Sequence, residues 1–415
     1  MGQPYQSTLM LTRSTLFSLL LLAILPTMGQ TNRSCGGFRY VFQIFAGTSQ
    51  TTVQYGEATQ GGNTEMLFMD VYQPEGDTFS SRAVMILAHG GDFASGDRAD
   101  MADLARQFAE HGYVAATIDY RLQAAAPTDS MEMASALVQS MHDLKAAVRF
   151  FRDDQQNAKT YRIDTNFVFV GGYSAGALAA LHAAYLSDGD VAPGYFETAL
   201  SAEGGLEGQS NNITGASSRI QAVMNLAGGL VDRSWIQSSE APLISYHGEN
   251  DQVVPTNGGL SFGVINLDGS ALIHQEADQK NVFNYYQPVV GGTHDSLFAG
   301  SFATGYQEFL DSAFVSLFEV LCNEVTSIRS AVSEPTLLSL YPNPASRSIT
   351  VNYPGPDRAE LLFYNSQGAC VKTENLSAPG TRLNLDGMSP GVYFVVLRTQ
   401  AQGLVSRASL VVEGR

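Results

Sequence analysis

The sequence predicts an α/β protein with a doubly wound, mostly parallel sheet, followed by a small all-β sandwich. Apolar runs of strand length alternate with helical segments, which is typical of parallel strands that are buried on both faces. Around Val325 to Thr336 the pattern changes to short β-rich segments separated by Pro, Gly and Asn, which predicts the sandwich. With 415 residues, of which 44% are hydrophobic, the chain is long enough for both units.

The first 29 residues predict a cleavable secretory signal peptide. Arg13 precedes the apolar run Leu16 to Leu25, and the short segment Pro26 to Gly29 ends it. The run is too short for a comfortable membrane span, and no later segment qualifies, so we expect no stable membrane span. Met10 is an alternative start. We expect an exported mature chain.

The net charge of −17 argues against nucleic acid or an anionic membrane as a partner. Only three cysteines are present, and an exported chain allows disulfides. Cys35 opens the mature domain and Cys322 closes its last helix, so we expect a bridge between them, with Cys370 left over. The cysteine and histidine spacing suggests no metal site, and we expect no cofactor.

Segments of strand and helix type alternate from residue 30 to residue 324. The predicted strands are Phe38–Phe45, Glu65–Tyr72, Ala83–Leu87, Val114–Tyr120, Phe167–Val170, Gln221–Leu226, Pro242–His247 and Asn284–Val290. The predicted helices are Met101–His111, Ala134–Arg152, Ala175–Leu186 and Tyr306–Leu321. The Gly-, Ser- and Asn-rich segment 203–218 is predicted to be a loop near the site. After a linker at 325–336, the segment 337–415 contains strands at Ile349–Tyr353, Ala359–Tyr364 and Val392–Arg398.

The pentapeptide Gly172-Tyr173-Ser174-Ala175-Gly176 joins a predicted strand to a predicted helix. In this setting G-x-S-x-G forms a sharp turn that presents a nucleophilic serine, with small residues where the backbone is crowded. The helix that follows directs its positive N-terminus at the same place. Ser174 is therefore the candidate nucleophile.

The candidate carboxylate is Asp251, on the loop immediately after the predicted strand that ends at His247. Its loop lies at the carboxyl end of the predicted sheet, where open α/β folds bind ligands. Glu249 lies on the same loop and is the alternative carboxylate. A carboxylate here would orient the base of a serine hydrolase.

The candidate base is His294, on the glycine-containing loop after the last apolar strand. It follows both other candidates, which gives the chain order Ser, Asp, His. His247 and His89 are interpreted as hydrogen-bonding supports of their own loops.

The candidate oxyanion donors are backbone amides in two loops. His89-Gly90-Gly91-Asp92-Phe93 follows the strand Ala83–Leu87, and its glycines let N–H groups point at a substrate oxygen. Gly91 is the preferred donor, Gly90 is a second possibility, and the amide of Ala175 completes the set.

Together these motifs resemble secreted esterases of the α/β-hydrolase fold, within the broad carboxylesterase and lipase group. The resemblance covers Cys35 to Cys322 and implies a carboxylic ester hydrolase acting through an acyl-enzyme intermediate. The third glycine of the H-G-G-G variant is Asp92 here, which leaves open whether Asp92 restricts acidic acyl groups. The substrate is expected to be a small-molecule or polysaccharide-linked ester.

The C-terminal segment resembles the sorting domain of the type IX secretion system. The resemblance rests on Leu340-Tyr341-Pro342-Asn343-Pro344-Ala345 and on Gly391-Val392-Tyr393-Phe394-Val395-Val396. It implies export across the outer membrane, the secretion machinery as a partner, and a secreted or surface-attached product. A small carbohydrate-binding sandwich is the alternative.

Two other functions remain open. A serine exopeptidase of the prolyl-oligopeptidase type shares the catalytic domain, although Cys35 to Ala83 is too short for the propeller that usually precedes it. A non-catalytic binding protein on a hydrolase scaffold is the other, although such proteins commonly lack the nucleophile or the base.

Overall fold

The computed structural model describes residues 39–211, 213, 215–298, 303–322, 338–353, 359–364, 370–399 and 403–412. The predicted signal peptide at 1–29, Cys35 and the linker at 325–336 lie outside these ranges and stay predictions. Within the described ranges, no helix has the length and apolar character needed to cross a membrane.

Strands and helices alternate through the first 322 residues wherever the structure describes them. In chain order they are β1 (Thr48–Gln60), β2 (Asn63–Pro74), β3 (Arg82–Ala88), α1 (Ala102–Glu110), β4 (Val114–Ile118), α2 (Ser130–Gln156), β5 (Ile163–Tyr173), α3 (Ala175–Tyr185), α4 (Gly194–Ala202), β6 (Ala222–Leu226), β7 (Gly229–Leu230), β8 (Leu243–Gly248), β9 (Gly259–Ser261), β10 (Ile265–Gly269), α5 (Ser270–Gln279), β11 (Asn284–Val289) and α6 (Ala303–Cys322).

The main sheet has eight strands in the order β1-β2-β4-β3-β5-β6-β8-β11. β1 and β2 pair antiparallel, as do β2 and β4. The other neighbours run parallel. The strand order reverses between β3 and β5, and ligands of open α/β sheets bind at the carboxyl ends of the strands near such a point. The predicted doubly wound, mostly parallel sheet is confirmed.

Each central strand contributes side chains to two separate cores. In β3, Val84 and Ile86 belong to the core that also contains side chains of α2 and α3. Met85 and Leu87 belong to the core that contains side chains of α1 and α6. Because successive residues point to opposite faces, both of which are covered, these strands appear in the sequence as unbroken apolar runs.

The strand predicted at Phe38–Phe45 is wrong, because residues 39–47 form turns and irregular backbone. Their side chains anchor the chain instead: Arg39 donates to the carboxylate of Asp77 and to the carbonyl of Gly112. The true edge strand, β1, was missed because it is polar and mostly exposed. Two helices were also missed, α4 and α5, as was a three-stranded sheet in the order β7-β10-β9.

The C-terminal segment folds into two antiparallel sheets. Its strands are β12 (Ser339–Tyr341), β13 (Ser348–Asn352), β14 (Ala359–Tyr364), β15 (Cys370–Leu376), β16 (Thr381–Asn384), β17 (Gly391–Thr399) and β18 (Gly403–Val412). The sheet orders are β12-β13-β16 and β15-β14-β17-β18. Ile349 and Val351 of the first sheet share one core with Leu361 and Phe363 of the second, so the small all-β prediction is confirmed.

Cys322, the last residue of α6, is disulfide-bonded. Its expected partner, Cys35, lies outside the described residues, and the side chain of Cys370 is also not described. The Cys35–Cys322 pairing therefore stays a prediction.

Candidate active site

Ser174 occupies the sharp turn between β5 and α3. Its backbone has φ 53° and ψ −119°, a left-handed conformation that is strained for a residue with a side chain. A Cβ at Gly172 would lie 2.4 Å from the carbonyl carbon of Gly176. A Cβ at Gly176 would lie 2.2 Å from the carbonyl oxygen of Ala88. Both glycines are therefore required by the close approach of backbone on either side of the serine.

The structure brings Ser174, His294 and Asp251 into one hydrogen-bonded series. His294 Nε2 lies 2.8 Å from Ser174 Oγ, and His294 Nδ1 lies 2.6 Å from Asp251 Oδ2. All three side chains are buried. With Nδ1–H donating to the carboxylate, Nε2 is free to accept the serine proton.

Asp251 and His294 lie on neighbouring loops because β8 and β11 are parallel neighbours. Asp251 follows the end of β8, and His294 follows the end of β11. The loops touch through backbone: Asn250 N–H donates to Gly292 O at 2.9 Å. A Cβ at Gly248 would lie 2.5 Å from the same oxygen, so glycine is needed for this approach.

The Asp251 carboxylate is buried and fully hydrogen-bonded. Oδ1 accepts from the amides of Val253 at 2.8 Å and Val254 at 2.9 Å. Oδ2 lies near both His294 Nδ1 and His247 Nε2. Burial raises the pKa of Asp251, but the hydrogen bonds from His247 and His294 outweigh it and hold that pKa well below its usual range. Glu249, the alternative carboxylate, is exposed.

The loop after β3 passes directly beside the nucleophile. A Cβ at Gly90 would lie 3.3 Å from Ser174 Cβ and 2.8 Å from Cδ1 of Tyr173. Gly91 has φ +113°, and a Cβ there would lie 2.2 Å from Ser95 O, so only glycine fits. Ala175 is the first residue of α3, and an amide at that position has no acceptor within its own helix.

His89 stabilises the loop after β3 through hydrogen bonds and ring stacking. Its Nδ1 lies 2.6 Å from the carbonyl of Gly90, which makes Nδ1–H the donor. Its ring stacks on that of Tyr120 with centroids 4.3 Å apart, and the Tyr120 hydroxyl donates to His89 O at 2.9 Å. Burial lowers the pKa of His89, which favours the neutral ring.

Aromatic side chains lie beside Tyr173 and in the loop after β3, and the sequence did not predict a role for them. The ring of Phe298 meets that of Tyr173 edge-on at 5.1 Å. The buried Phe93, in the glycine loop, lies 6.5 Å from the ring of Phe262. Phe262 belongs to the segment between β9 and β10, whose role depends on tertiary contacts that a single sequence does not reveal.

Where it is described, the segment 203–218 makes polar contacts with α2, with β1 and with Arg121 of the loop after β4. His142 Nε2 lies 2.6 Å from Gly205 O, and Lys145 donates to Leu206 O at 2.9 Å. Glu57 N–H donates to Ser210 O at 2.9 Å. Its expected place near the site stays a prediction.

Two family models match the chain. The BD-FAE family matches residues 69–232, a range that includes Ser174 and ends before Asp251 and His294. The family described as Secretion system C-terminal sorting domain matches residues 339–413.

Individual proteins also resemble parts of the chain. Beta-agarase A of Zobellia galactanivorans is 33% identical over 67 residues, which is 16% of this chain and 12% of that protein. Thermogutta terrifontis esterase 2 phosphorylated by paraoxon is 20% identical, with a TM-score of 0.49 over 66% of this chain and 95% of that chain. Its propionate-bound form is 19% identical, with the same TM-score over 66% and 94%.

The family matches agree with the fold described above: a large mostly parallel sheet followed by small antiparallel sheets. The chain therefore carries an esterase-like α/β-hydrolase domain that matches the BD-FAE family, followed by a C-terminal sorting domain of the type IX secretion system.

Proposed function

We propose that this protein is an exported serine hydrolase that cleaves carboxylic esters, with Ser174 as nucleophile, His294 as base and Asp251 as orienting carboxylate. The observation that supports it is the unbroken series from Ser174 Oγ through both nitrogens of His294 to Asp251 Oδ2, at 2.8 Å and 2.6 Å. The distance from Ser174 Oγ to His294 Nε2 allows direct proton transfer, and the distance from His294 Nδ1 to Asp251 Oδ2 allows the carboxylate to orient the ring.

In the proposed reaction, Ser174 Oγ attacks the ester carbonyl carbon while its proton moves to His294 Nε2. Asp251 keeps its hydrogen bond to Nδ1–H and stabilises the imidazolium that forms. The imidazolium then protonates the departing alkoxide, which leaves an acyl-enzyme. His294 next takes a proton from water, the hydroxide attacks the acyl carbon, and the acid is released as Ser174 regains its proton.

The negative oxygen of each tetrahedral intermediate needs donors beside Ser174. We assign this role to the amides of Gly91 and Ala175, with Gly90 as the alternative donor. Gly90 lies so close to Ser174 and Tyr173 that a Cβ there would clash with the Tyr173 ring, which supports backbone amides of this loop as the donors nearest to Ser174. No cofactor takes part in the proposed chemistry.

A fluorophosphonate probe tests this proposal directly. It should modify Ser174 in the wild-type protein and leave the Ser174→Ala variant unlabelled, as read by peptide mass spectrometry. Labelling without turnover of any ester would favour the binding protein. Turnover of aminoacyl anilides in place of p-nitrophenyl esters would favour the exopeptidase.

The domain limits belong to the same proposal. We propose a signal peptide at 1–29, a catalytic domain at 30–324, a linker at 325–336 and a sorting domain at 337–415. The match of residues 339–413 supports export to the outside or the surface of the cell. Intact-mass analysis of the exported product tests removal of residues 1–29 and measures whether the sorting domain is still attached. Non-reducing peptide mapping tests the Cys35–Cys322 bridge.

A further inference from the structure

A second histidine shares the carboxylate that orients the base. His247 Nε2 lies 3.1 Å from Asp251 Oδ2, the same oxygen that contacts His294. With the amides of Val253 and Val254 on Oδ1, two donors face each oxygen of the carboxylate. The side chains of Asp251 and His247 have no exposed surface, so water does not replace any of these donors.

The neighbours of His247 fix which nitrogen carries its proton. Nε2 also lies 2.8 Å from Val254 O, and because both nearby atoms are acceptors, Nε2 is the protonated nitrogen. Nδ1 lies 2.6 Å from Ser270 Oγ. Asn225 Nδ2 donates to that same oxygen at 3.0 Å, which leaves the serine proton for His247 Nδ1.

The hydrogen-bond chain continues through the buried interior. The Asn225 amide also donates to Ser245 Oγ at 2.9 Å, while its Oδ1 accepts from Gly228 N–H at 2.8 Å. Ser245 Oγ lies 2.7 Å from His274 Nε2.

Proton positions are also defined at the end of the hydrogen-bond network that lies farthest from Asp251. His274 Nδ1 lies 2.8 Å from Asn284 Oδ1, whose amide nitrogen donates to Asp278 and to Val282 O. Burial lowers the pKa of His274 to about 4, so its ring is neutral and Nδ1 carries the single proton. Ser245 therefore donates to His274 Nε2 and accepts from Asn225. The Asn225 amide is the common donor: hydrogen bonds run from it through Ser245 to His274, and through Ser270 to His247 and Asp251.

We propose that His247 is a positioning residue for the hydrolysis reaction: its Nε2–H, held in one tautomer by Ser270, fixes the Asp251 carboxylate in the orientation that His294 requires. This proposal rests on the proposed function. His247 acts through Asp251 and touches neither Ser174 nor the reacting carbonyl. Its effect is therefore on the chemical step and not on substrate binding.

The electrostatic consequence has a definite sign. Loss of the His247 donor leaves more negative charge uncompensated on Asp251, which strengthens the attraction between this carboxylate and a positive charge beside it. The titratable groups that face the carboxylate are His247 at the end of β8 and His294 on the loop after β11. Further out, Tyr173 of β5 is electrostatically coupled to Asp251, and His274 of α5 is coupled to His247.

The test compares four variants by kcat, KM and the pH profile of kcat/KM on a p-nitrophenyl ester. His247→Leu should lower kcat by about 10- to 100-fold with KM nearly unchanged, and should move the acidic limb of the profile to higher pH. His247→Gln, whose amide can donate near the position of Nε2, should recover most of that loss. Ser270→Ala, which is nearly isosteric, should show a smaller loss in the same direction.

The matched control is His142→Leu, which removes a buried histidine on α2 that has no contact with Asp251. It should lower Tm and leave the pH profile of the folded enzyme in place. The proposal is overturned if Ser270→Ala and His247→Leu keep the wild-type kcat and pH profile, or if His247→Gln recovers nothing. If His247→Leu does not fold, Ser270→Ala alone decides. An active Ser174→Ala variant would instead overturn the proposed function itself.

Discussion

The Tyr173 side chain links the turn of Ser174 to the loop of His294. Its ring stacks near the imidazole of His294 with centroids 5.3 Å apart, and its hydroxyl donates to His294 O at 3.0 Å. The same hydroxyl lies 3.2 Å from Asp295 Oδ1. Burial, followed by the charge of Asp295, raises the pKa of Tyr173, so the hydroxyl keeps its proton and remains a donor. The residue next to the serine thus holds the histidine loop.

Tyr173→Phe should lower kcat by about fivefold with little change in KM, because one hydrogen bond that steadies the His294 loop is lost. Steady-state kinetics on a p-nitrophenyl ester measures both constants. Tyr285→Phe is the control, since it removes a hydroxyl bonded to Gln287 on β11. The same kcat and KM for the two variants would show that the Tyr173 hydroxyl does not steady the His294 loop.

Ser174→Ala should lower kcat/KM for a p-nitrophenyl short-chain ester by several orders of magnitude, because the attacking oxygen is gone. Ser312→Ala, at a hydroxyl on the surface of α6, is the control and should keep wild-type turnover. Near-full activity of Ser174→Ala would rule out the acyl-enzyme mechanism.

Gly176→Ala should destabilise the protein by about 2 to 3 kcal/mol, because the new Cβ meets the carbonyl oxygen of Ala88. Gly194→Ala is the control, since a Cβ there meets nothing within 4 Å and alanine favours the helix. Urea unfolding gives both values of the free energy of unfolding. A Gly176→Ala variant as stable as Gly194→Ala would contradict the close backbone contact.

Asp92→Asn should raise kcat/KM for an anionic ester, such as a hemisuccinate, by a few-fold, because a negative charge beside the oxyanion loop is removed. The side chain is exposed, and its charge contributes to the raised pKa of Tyr173. The neutral butyrate ester is the control and should change little. The gain should shrink in high salt, and a gain that is equal for both esters would exclude charge as its cause.

The free energy of unfolding should fall as pH decreases from about 6.5 to about 4. Burial lowers the pKa of His142, His182 and His274 to about 4, from an ordinary value of 6.5. In this window the unfolded chain binds protons that the folded chain does not, so acid favours unfolding. Urea unfolding at several pH values measures the slope, which should be smaller in His142→Leu. An identical slope in that variant would exclude His142 as a source.

The strands that could be predicted from sequence are those that are covered on both faces. β3 is buried along its whole length, so its apolar run was sufficient. β1 could not be recognised, because an edge strand with mostly exposed Thr and Gln residues has little apolar pattern. The segment 38–45 misled for the opposite reason: residues 39–45 are rich in apolar side chains, and Tyr40 packs in the core against Tyr113, but these residues pair with no strand.

The three candidate catalytic residues could be predicted because each follows a recognisable strand and their chain order is fixed by the fold. The roles of Tyr173 and His247 could not be derived in the same way. His247 was interpreted as a loop support, but its bond to Asp251 depends on how the loop after β8 turns back on the strand. Its partner Ser270 is 23 residues away, and nothing in the local sequence indicates the contact.

The contact between the loops of Asp251 and His294 limits which changes of sequence these loops can accept. Gly248 and Gly292 meet where no side chain fits, so any residue larger than glycine at position 248 would push the two loops apart. Among the described residues, the segment between β9 and β10 makes no such backbone contact with the His294 loop, and its Phe262 ring lies 6.5 Å from the ring of Phe93. We therefore expect the loops of Asp251 and His294 to change only together, because a shift of either one alone would break the backbone contact between them.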